Sequence, residues 1–239
     1  AGQLISYEIP FIMAILGVAM LSQSLDLQEI VRGQVEDTTA YAVVQPLGLF
    51  IFLVAGLAEL GRTPFDIHHA ESEVVGGPFV EYSGAHWAVF FLSEYMNTFT
   101  IAALTVLLFL GGWRWPDMPF PLLSAAWFLA KTYIVILVIF WIRGTYPRLR
   151  IDHLMAFGWK VLVPLSFVNI LMTGAVLFYG LHWSVLTVVS LVLLAATFYA
   201  IGRRSGTAAE RMSVRVYPAR ELASIRSRAH GHPAQGGDG

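Results

Sequence analysis

The chain has 239 residues, of which 56% are hydrophobic and 13% are charged, and its mean hydropathy is +0.65. Soluble proteins average about 25% charged residues, so this composition indicates a membrane protein. The net charge of −1 gives no reason to expect a nucleic-acid partner. The absence of cysteine excludes disulfides, thiolate metal sites and cysteine-held iron–sulfur clusters on this chain.

The chain opens with AGQLISYEIP, in which no basic segment precedes the apolar one, so no signal peptide is expected. Six apolar segments then qualify or nearly qualify as transmembrane helices, which need about 20 mostly apolar residues. The predicted fold class is therefore all-α, a polytopic transmembrane helix bundle over residues 1–201 with some helices kinked at Pro10, Pro46 and Pro164. The six predicted spans are Ile5–Leu21, Ala42–Leu60, Trp87–Leu110, Leu122–Ile142, Ala156–Gly180 and Trp183–Ile201.

The distribution of lysine and arginine predicts the orientation of the bundle. If the N-terminal end is cytoplasmic, the inside loops and the tail carry twelve of these residues, whereas the outside loops carry Arg32 and Arg114. The acidic loop 60–86 and the C-terminus are then cytoplasmic. The basic tail 202–239 has no apolar segment to bury, so its far end is predicted to be disordered.

The two outside loops differ in pattern. The first has apolar residues at Leu25, Leu27, Ile30 and Val31, which predict a short interfacial helix. The second, GGWRWPDMPFP, is rich in glycine, proline and tryptophan and predicts a tight turn at the membrane surface.

Four of the ionisable residues inside or at the ends of predicted spans are functional candidates, namely Glu8, Glu59, Glu94 and Lys131. Each is costly in hydrocarbon, at least roughly 2.5 kcal/mol at a helix centre, and is a functional candidate by default. The three carboxylates lie at a similar depth and are candidates for a proton relay, although Glu94 could be a structural carboxylate and the other two could reach headgroup water. Lys131 is predicted near the middle of its span, where it needs a carboxylate partner or a loss of its charge.

The acidic loop follows the second span and carries Arg62 near its start. Apolar residues such as Phe65 interleave with its acids, which predicts a loop that folds against its own helices or against another subunit rather than a solvated loop. Its carboxylates are Asp66, Glu71, Glu73 and Glu81. His68 and His69 are adjacent, so they point about 100° apart on a helix and are predicted to titrate rather than share a metal.

A basic segment on the same side contains Arg143, Arg148, Arg150 and Asp152. It is either an ordinary positive-inside anchor or a rim that docks an acidic neighbour or a polar headgroup. The chain has no phosphate-binding loop, no Ser/His/Asp arrangement and no metal-ligand spacing. No catalytic residue, bound cofactor or metal is therefore predicted on this chain, and any redox chemistry is assigned to partners.

Several ordered motifs give a specific resemblance. They are QLISYE near the start, the runs AELGRTPFDIHHAESEVVGG, EYSG, FFLSEYMN and LFLGGW within Ala58–Trp113, and WIRGTYPRLRIDHLMAFGWKVLVPLSFVN over Trp141–Asn169. Together they resemble the H-type membrane subunit of proton-pumping NADH–quinone oxidoreductase, the family of NADH dehydrogenase subunit 1 of respiratory complex I. The resemblance extends from Gln3 to about Leu177.

The resemblance implies a bundle of tilted helices in a bacterial cytoplasmic membrane that joins the peripheral redox arm to the antiporter-like membrane arm. It also implies part of a quinone-binding chamber, with ubiquinone or menaquinone as substrate and NADH, FMN and iron–sulfur clusters on partner subunits. The implied partners are the peripheral-arm iron–sulfur and quinone-site subunits, the small membrane-arm subunits and the lipid bilayer. The motif match assigns proton coupling to Glu8, Glu59, Asp66, Glu71, Glu73, Glu81 and Glu94, and the basic segment to Arg143, Arg148, Arg150 and Asp152.

Two departures from the family pattern stand out. The family usually has Pro–Glu where this chain has His68–His69, so an imidazole replaces a loop carboxylate, and we expect His69 to keep a relay function. The family's N-terminal helices have no counterpart here, and the last span and tail exceed the common family ending. Three alternatives stay open: the related membrane component of an energy-converting hydrogenase or another donor-dependent quinone reductase, a stand-alone ion transporter, and a docking scaffold.

Overall fold

The computed structural model describes residues 2–36, 39–65, 84–114, 121–147 and 151–211, and within these ranges the backbone forms helices and turns without a strand. The predicted all-α class is therefore confirmed for the described chain. The helices are α1 (Gly2–Ser22), α2 (Leu27–Glu36), α3 (Tyr41–Val44), α4 (Pro46–Glu59), α5 (Ala85–Phe109), α6 (Pro121–Thr145), α7 (Ile151–Phe157), α8 (Val163–Phe178) and α9 (Trp183–Arg211), with a π-helical turn at Gly158–Leu162 between α7 and α8.

Five segments of the described chain are long and apolar enough to cross a membrane. They are Gly2–Ser22, Ala85–Phe109, Leu122–Thr145, His153–Phe178 and Trp183–Arg203. Each overlaps one of the six predicted spans. The chain is therefore a multi-pass membrane protein, as its composition indicates.

The remaining predicted span, Ala42–Leu60, is not one continuous helix. It is divided into α3 and α4 at Gln45, whose backbone dihedrals are φ −132° and ψ 64°. The cause is Pro46, because a proline disfavours the helical conformation of the residue before it and is well suited to the first position of the next helix. The resulting α4 has 14 residues and is shorter than the about 20 that span a bilayer.

The other two prolines have different consequences. Pro10 lies within α1, which stays helical from Gly2 to Ser22. Pro164 lies in the first turn of α8, directly after the π-helical turn. Since proline has no N–H to donate, the preceding turn adopts a wider hydrogen-bonding pattern instead.

Helix α1 lies at the centre of the packing. Its most extensive contacts are with α4 and α8, and it also touches α2, α5 and α7, while α5 and α6 pack on each other. Two clusters of buried apolar residues result, one around Ala14, Phe52 and Phe109 and the other around Tyr7 and Leu154. The second cluster surrounds the end of α4, where the acidic loop begins.

Helix α2 confirms the short helix that the sequence predicts between the first two spans. Its residues Ile30 and Val31 are buried, whereas Leu25 just before it is exposed. Val31 packs so closely on Gly112 that a β-carbon there would lie 2.8 Å from its Cγ2 atom, and Gly112 also needs its positive φ of 51°. The glycine in the turn after α5 therefore allows α2 to pack directly against that turn.

Gln34 attaches α2 to the end of α5. Its buried amide donates to the carbonyl oxygens of Leu107 (3.0 Å) and Leu108 (3.2 Å) and accepts from the backbone N–H groups of Gly111 (2.8 Å) and Tyr41 (3.3 Å). Helix ends leave carbonyl groups without intrahelical partners, and Gln34 of α2 provides a hydrogen-bond donor to two such carbonyl oxygens at the end of α5.

The chain forms two compact units, Ala1–Leu194 and Ala195–Gly239. In the second unit the described part is helical through Arg211. The predicted boundary at residue 201 and the predicted disorder of the tail stay predictions, since residues 212–239 lie outside the described chain.

We predict that Gln34→Leu lowers the free energy of unfolding by about 1–3 kcal/mol, because backbone groups at the end of α5 lose their buried partner. Gln28→Leu is the matched control, since Gln28 lies on the same helix and is exposed. Unfolding in mixed detergent micelles measures both variants. Equal loss in both would contradict the assignment of Gln34 as the cap of α5.

Candidate functional site

The turn that follows α4 is held in place by α1. Gln3 is buried, and its amide nitrogen donates to the carbonyl oxygens of Ala58 and Phe65, each at 3.1 Å. Gly61 adopts a positive φ of 59° just after the helix, a conformation that glycine accepts without steric cost. The backbone N–H of Phe65 donates to the carbonyl of Arg62 at 2.8 Å and closes the turn.

Aromatic packing fixes the same turn from another side. The ring of Phe65 meets the ring of Tyr7 edge to face, with centroids 5.4 Å apart, and both side chains are buried. The Tyr7 hydroxyl donates to the carbonyl of Leu154 at 2.9 Å and so connects α1 to α7. The start of the acidic loop is therefore positioned by α1, α4 and α7 together.

This turn carries Arg62 into the protein interior, where it pairs with Glu94 of α5. Nε of Arg62 lies 2.8 Å from Oε1 of Glu94, and the two side chains are 7% and 19% exposed. The Nε–H group is not aligned with the oxygen, so the contact is an ion pair rather than a hydrogen bond. Nη2 of Arg62 is also buried and has no hydrogen-bond partner among the described residues.

An aromatic stripe on α5 extends from this ion pair. The guanidinium carbon of Arg62 lies 5.1 Å from the ring centroid of Tyr95, within the range of a cation–π contact. Tyr95 packs on Phe91 (4.7 Å between centroids), which stacks on Trp87 (5.1 Å). The three rings are four residues apart and therefore lie on one face of the helix, where each is partly exposed.

The structure brings two of the predicted relay carboxylates near each other. Glu8 lies on α1 and Glu59 is the last residue of α4, and they are close enough for the charge of Glu8 to act on Glu59. Both residues are exposed on this chain. Glu94 is joined to the same region through Arg62, which follows Glu59 by three residues. The three acids therefore border one region around the end of α4.

Lys131 lies elsewhere, at the opposite end of α5. It is buried, and its Nζ donates to the carbonyl oxygens of Leu110 (2.8 Å) and Gly112 (3.2 Å). It also lies 5.9 Å from the ring centroid of Trp127. A cation is favourable at a helix C-terminus, where the carbonyl dipoles point outward. The sequence analysis expected a carboxylate partner or a loss of charge for Lys131, and it did not foresee these carbonyl oxygens.

The structure describes only some of the other predicted site residues. Phe65 is buried in the turn, and Arg143 is exposed in the last turn of α6. Asp152 lies on α7, but its side chain is outside the described part of the structure. Seven residues fall wholly outside the described chain: Asp66, His69, Glu71, Glu73, Glu81, Arg148 and Arg150. Among described residues, no group of three His, Asp or Glu is arranged to hold a metal ion.

The sequence analysis did not single out Gln3 or Tyr7, although they position the turn. It noted Arg62 and Glu94 separately and did not pair them, because 32 positions separate them in the chain. An arginine beside an apolar span and a glutamate inside the next span could have suggested the pair, since a buried charge requires a partner. The choice among Arg62, Lys131 and Arg143 as that partner needs the tertiary structure.

Within the described residues, five membrane-length helices and a largely buried ion pair at the start of a loop define a polytopic α-helical membrane protein with a charged site at one end of the bundle. Comparison with known families then gives its identity. The model of the NADH dehydrogenase family matches residues 1–174, and the chain belongs to this family. The resemblance predicted from the motifs is thereby confirmed.

Curated relatives carry the name of the H-type subunit of NADH-quinone oxidoreductase. The chain is 51% identical to that of Anoxybacillus flavithermus over 180 residues, which are 74% of this chain and 52% of the relative. It is 42% identical to that of Dehalococcoides mccartyi over 211 residues, which are 84% of this chain and 57% of the relative. The chain therefore spans about half the length of the curated relatives it matches.

We predict that Arg62 and Glu94 are energetically coupled. In a double-mutant cycle with Arg62→Met and Glu94→Gln, the combined loss of stability should be smaller than the sum of the single losses by about 0.5–3 kcal/mol, because each single change leaves a charged or polar partner unpaired. The free energy of unfolding of the four proteins is measured in mixed detergent micelles. Arg143→Met is the control and should change stability by less than about 0.5 kcal/mol, since Arg143 is exposed. Strictly additive losses would exclude the coupling.

Proposed function

We propose that this chain is part of a membrane subunit of a proton-translocating NADH–quinone oxidoreductase, in which it forms part of the quinone chamber and couples quinone reduction to proton translocation. It is not catalytic alone. The observation that carries this proposal is the ion pair between the buried Arg62 and the largely buried Glu94, which is fixed on the turn that leads into the acidic loop. The family membership and the names of the relatives support it.

Arg62 is suited to donate a hydrogen bond to a quinone headgroup. Its Nη2 is a buried donor without a partner among the described residues, and an oxygen of a quinone headgroup is an acceptor of the kind it requires. The aromatic stripe beside it, Trp87, Phe91 and Tyr95, is an apolar surface that suits a ring or an isoprenoid tail. Phe65 lies in the same turn and belongs, with Arg62, to the quinone region of this proposal.

The coupling is electrostatic. A unit charge that develops about 10 Å from a carboxylate changes its energy by about 1.7 kcal/mol at an effective dielectric constant of 20. That energy shifts a protonation equilibrium more than tenfold, so quinone reduction beside the turn can change proton occupancy without direct contact. Glu94 is affected by such a change through its ion pair with Arg62. The charge of Glu8 in turn affects the protonation of Glu59.

In this proposal the loop carboxylates and His69 transmit the protonation change from the quinone to the membrane acids. The protonation change passes first to the loop group of Asp66, His69, Glu71, Glu73 and Glu81, and then to Glu59, Glu8 and Glu94. Lys131, bound at the far end of α5, holds a positive charge within the membrane section of the path.

The remaining assignments follow from the same proposal. The chain lies in a bacterial cytoplasmic membrane with the acidic loop and the C-terminus cytoplasmic. Its basic segment, Arg143, Arg148, Arg150 and Asp152, docks a peripheral-arm subunit, while the apolar outer faces contact lipid and the small membrane-arm subunits. Electrons arrive from NADH through FMN and iron–sulfur clusters held by partners, and the quinone is the substrate of the assembly.

We predict that Glu94→Gln, Glu59→Gln and Glu8→Gln each reduce proton translocation coupled to quinone reduction by about tenfold or more, because each removes one titrating group from the path. The measurement is proton uptake by membrane vesicles during NADH oxidation. Glu29→Gln is the control, since Glu29 is exposed on α2 and lies outside the path. If all three variants assemble and pump like the parent, the chain is a docking scaffold.

His69 allows a separate test. If its imidazole takes the place of the family's loop carboxylate, His69→Gln should lower quinone reduction and proton pumping, whereas His69→Glu should retain them, because glutamate restores an exchangeable proton. The neighbouring His68→Gln is the control. Unchanged quinone reduction and pumping in His69→Gln would remove His69 from the relay.

A further inference from the structure

A buried polar cluster lies where α3 gives way to α4, away from the site described above. Gln45, Asn169 and Thr173 are 0%, 2% and 0% exposed, although apolar segments surround them. The amide nitrogen of Gln45 donates to Oγ1 of Thr173 at 2.9 Å, and that hydroxyl donates to the backbone carbonyl of Asn169 at 2.8 Å. The cluster joins the start of α4 to α8.

These bonds determine the orientation of the Gln45 amide. The hydroxyl proton of Thr173 is used by the Asn169 carbonyl, so the hydroxyl can only accept from Gln45, and the group that faces it must be the NH2. Oε1 of Gln45 is then directed elsewhere as an acceptor. It is buried and has no partner among the described residues, and the same is true of Nδ2 of Asn169, which is a donor.

The two unsatisfied atoms lie on the same side of α1. A β-carbon built on Gly17 would lie 3.4 Å from Oε1 of Gln45 and 3.3 Å from Nδ2 of Asn169. It would also lie 2.8 Å from the amide nitrogen of Gln45, which is too short for a carbon contact. Gly17 therefore lets both amides approach the backbone of α1. A ligand for this pair has to donate to one atom and accept from the other, as water does.

A cavity of about 140 Å³ lies one helical turn away. Its lining includes Leu21, Val44 and Val176. Leu21 is four residues from Gly17, Val44 adjoins Gln45, and Val176 is three residues from Thr173, so each element of the cluster also borders the cavity. Thr39 and Tyr41 contribute polar groups to its wall. Since a water molecule occupies about 30 Å³ in the liquid, the volume holds several.

We propose that water enters the bundle through this cavity and binds to the polar cluster, where it donates to Oε1 of Gln45 and accepts from Nδ2 of Asn169. The break before Pro46 adds donors, because the first N–H groups of α4 have no intrahelical acceptor and Gln45 makes no side-chain cap. The site is a water-binding site inside the membrane section of the protein, and it does not depend on the proposed function.

Cysteine reactivity tests the route, because the chain has no cysteine of its own. Thr173→Cys and Val176→Cys are treated in native membranes with a small cationic methanethiosulfonate, and the mass of this chain gives the modified fraction. A thiol reacts as its thiolate, which forms only where water is present, so both should react at least about tenfold faster than their controls. The controls are Thr105→Cys and Val106→Cys on α5, which replace buried residues of the same type.

The outcomes separate the alternatives. Fast reaction at both positions, slowed when Val44→Phe fills the cavity, supports the proposal. Fast reaction at Val176→Cys alone means that water stops in the cavity and does not reach the cluster, which overturns it. Reaction at neither position means that the cavity is dry or holds an acyl chain, which overturns it as well.

A second measurement needs no substitution and so does not depend on the folding of a variant. Hydroxyl radicals produced from bound water by a short X-ray pulse oxidise the side chains beside that water. Val44 and Val176 should be oxidised at least about tenfold faster than Val106, although all three are nearly inaccessible. Equal oxidation of the three valines would overturn the proposal.

Discussion

The structure depends on one constraint, namely that hydrocarbon offers no partner to a backbone N–H or C=O group, so every helix end within the bundle must be completed by protein or by bound water. This chain meets the constraint with side chains from distant elements. Gln3 of α1 completes the turn after α4, and Gln34 of α2 and Lys131 of α6 complete the end of α5. Because each of these bonds joins two helices, the same interactions that satisfy the helix ends also hold the bundle together.

The charged site is a consequence of this arrangement. The turn after α4 is held by Gln3, Tyr7 and Phe65, and its fixed conformation carries Arg62 inward to Glu94. A buried ion pair is costly to form, since both charges lose their water, and it persists when the surrounding structure holds the partners in place. A rigid frame also suits a site in which charge changes are transmitted, because fixed charges respond to a new charge without reorganising.

Two kinds of polar group are therefore separated within the bundle. Carboxylates and Arg62 lie around the end of α4, where the loop begins, while uncharged amides and hydroxyls form the cluster around Gln45, where α4 starts. A break in a helix at membrane depth is tolerated where the backbone is buried in protein or borders a cavity, and α4 begins at such a place. Pro46 sets where α4 begins, and the contacts at its two ends stabilise a helix of this length.

Residue patterns alone predict the membrane class, the approximate positions of the spanning helices, the short helix α2 and the family, because apolar length, periodicity and ordered motifs are local properties of the chain. They also identify Glu8, Glu59, Glu94, Arg62 and Lys131 as unusual, since a charge in an apolar segment is visible without a structure. The partners become visible only in the folded chain: Arg62 with Glu94, Lys131 with the carbonyl oxygens that follow α5, and Gln45 with Thr173. These pairs join residues 19 or more positions apart, and which helices pack side by side is set by the whole core rather than by any one segment.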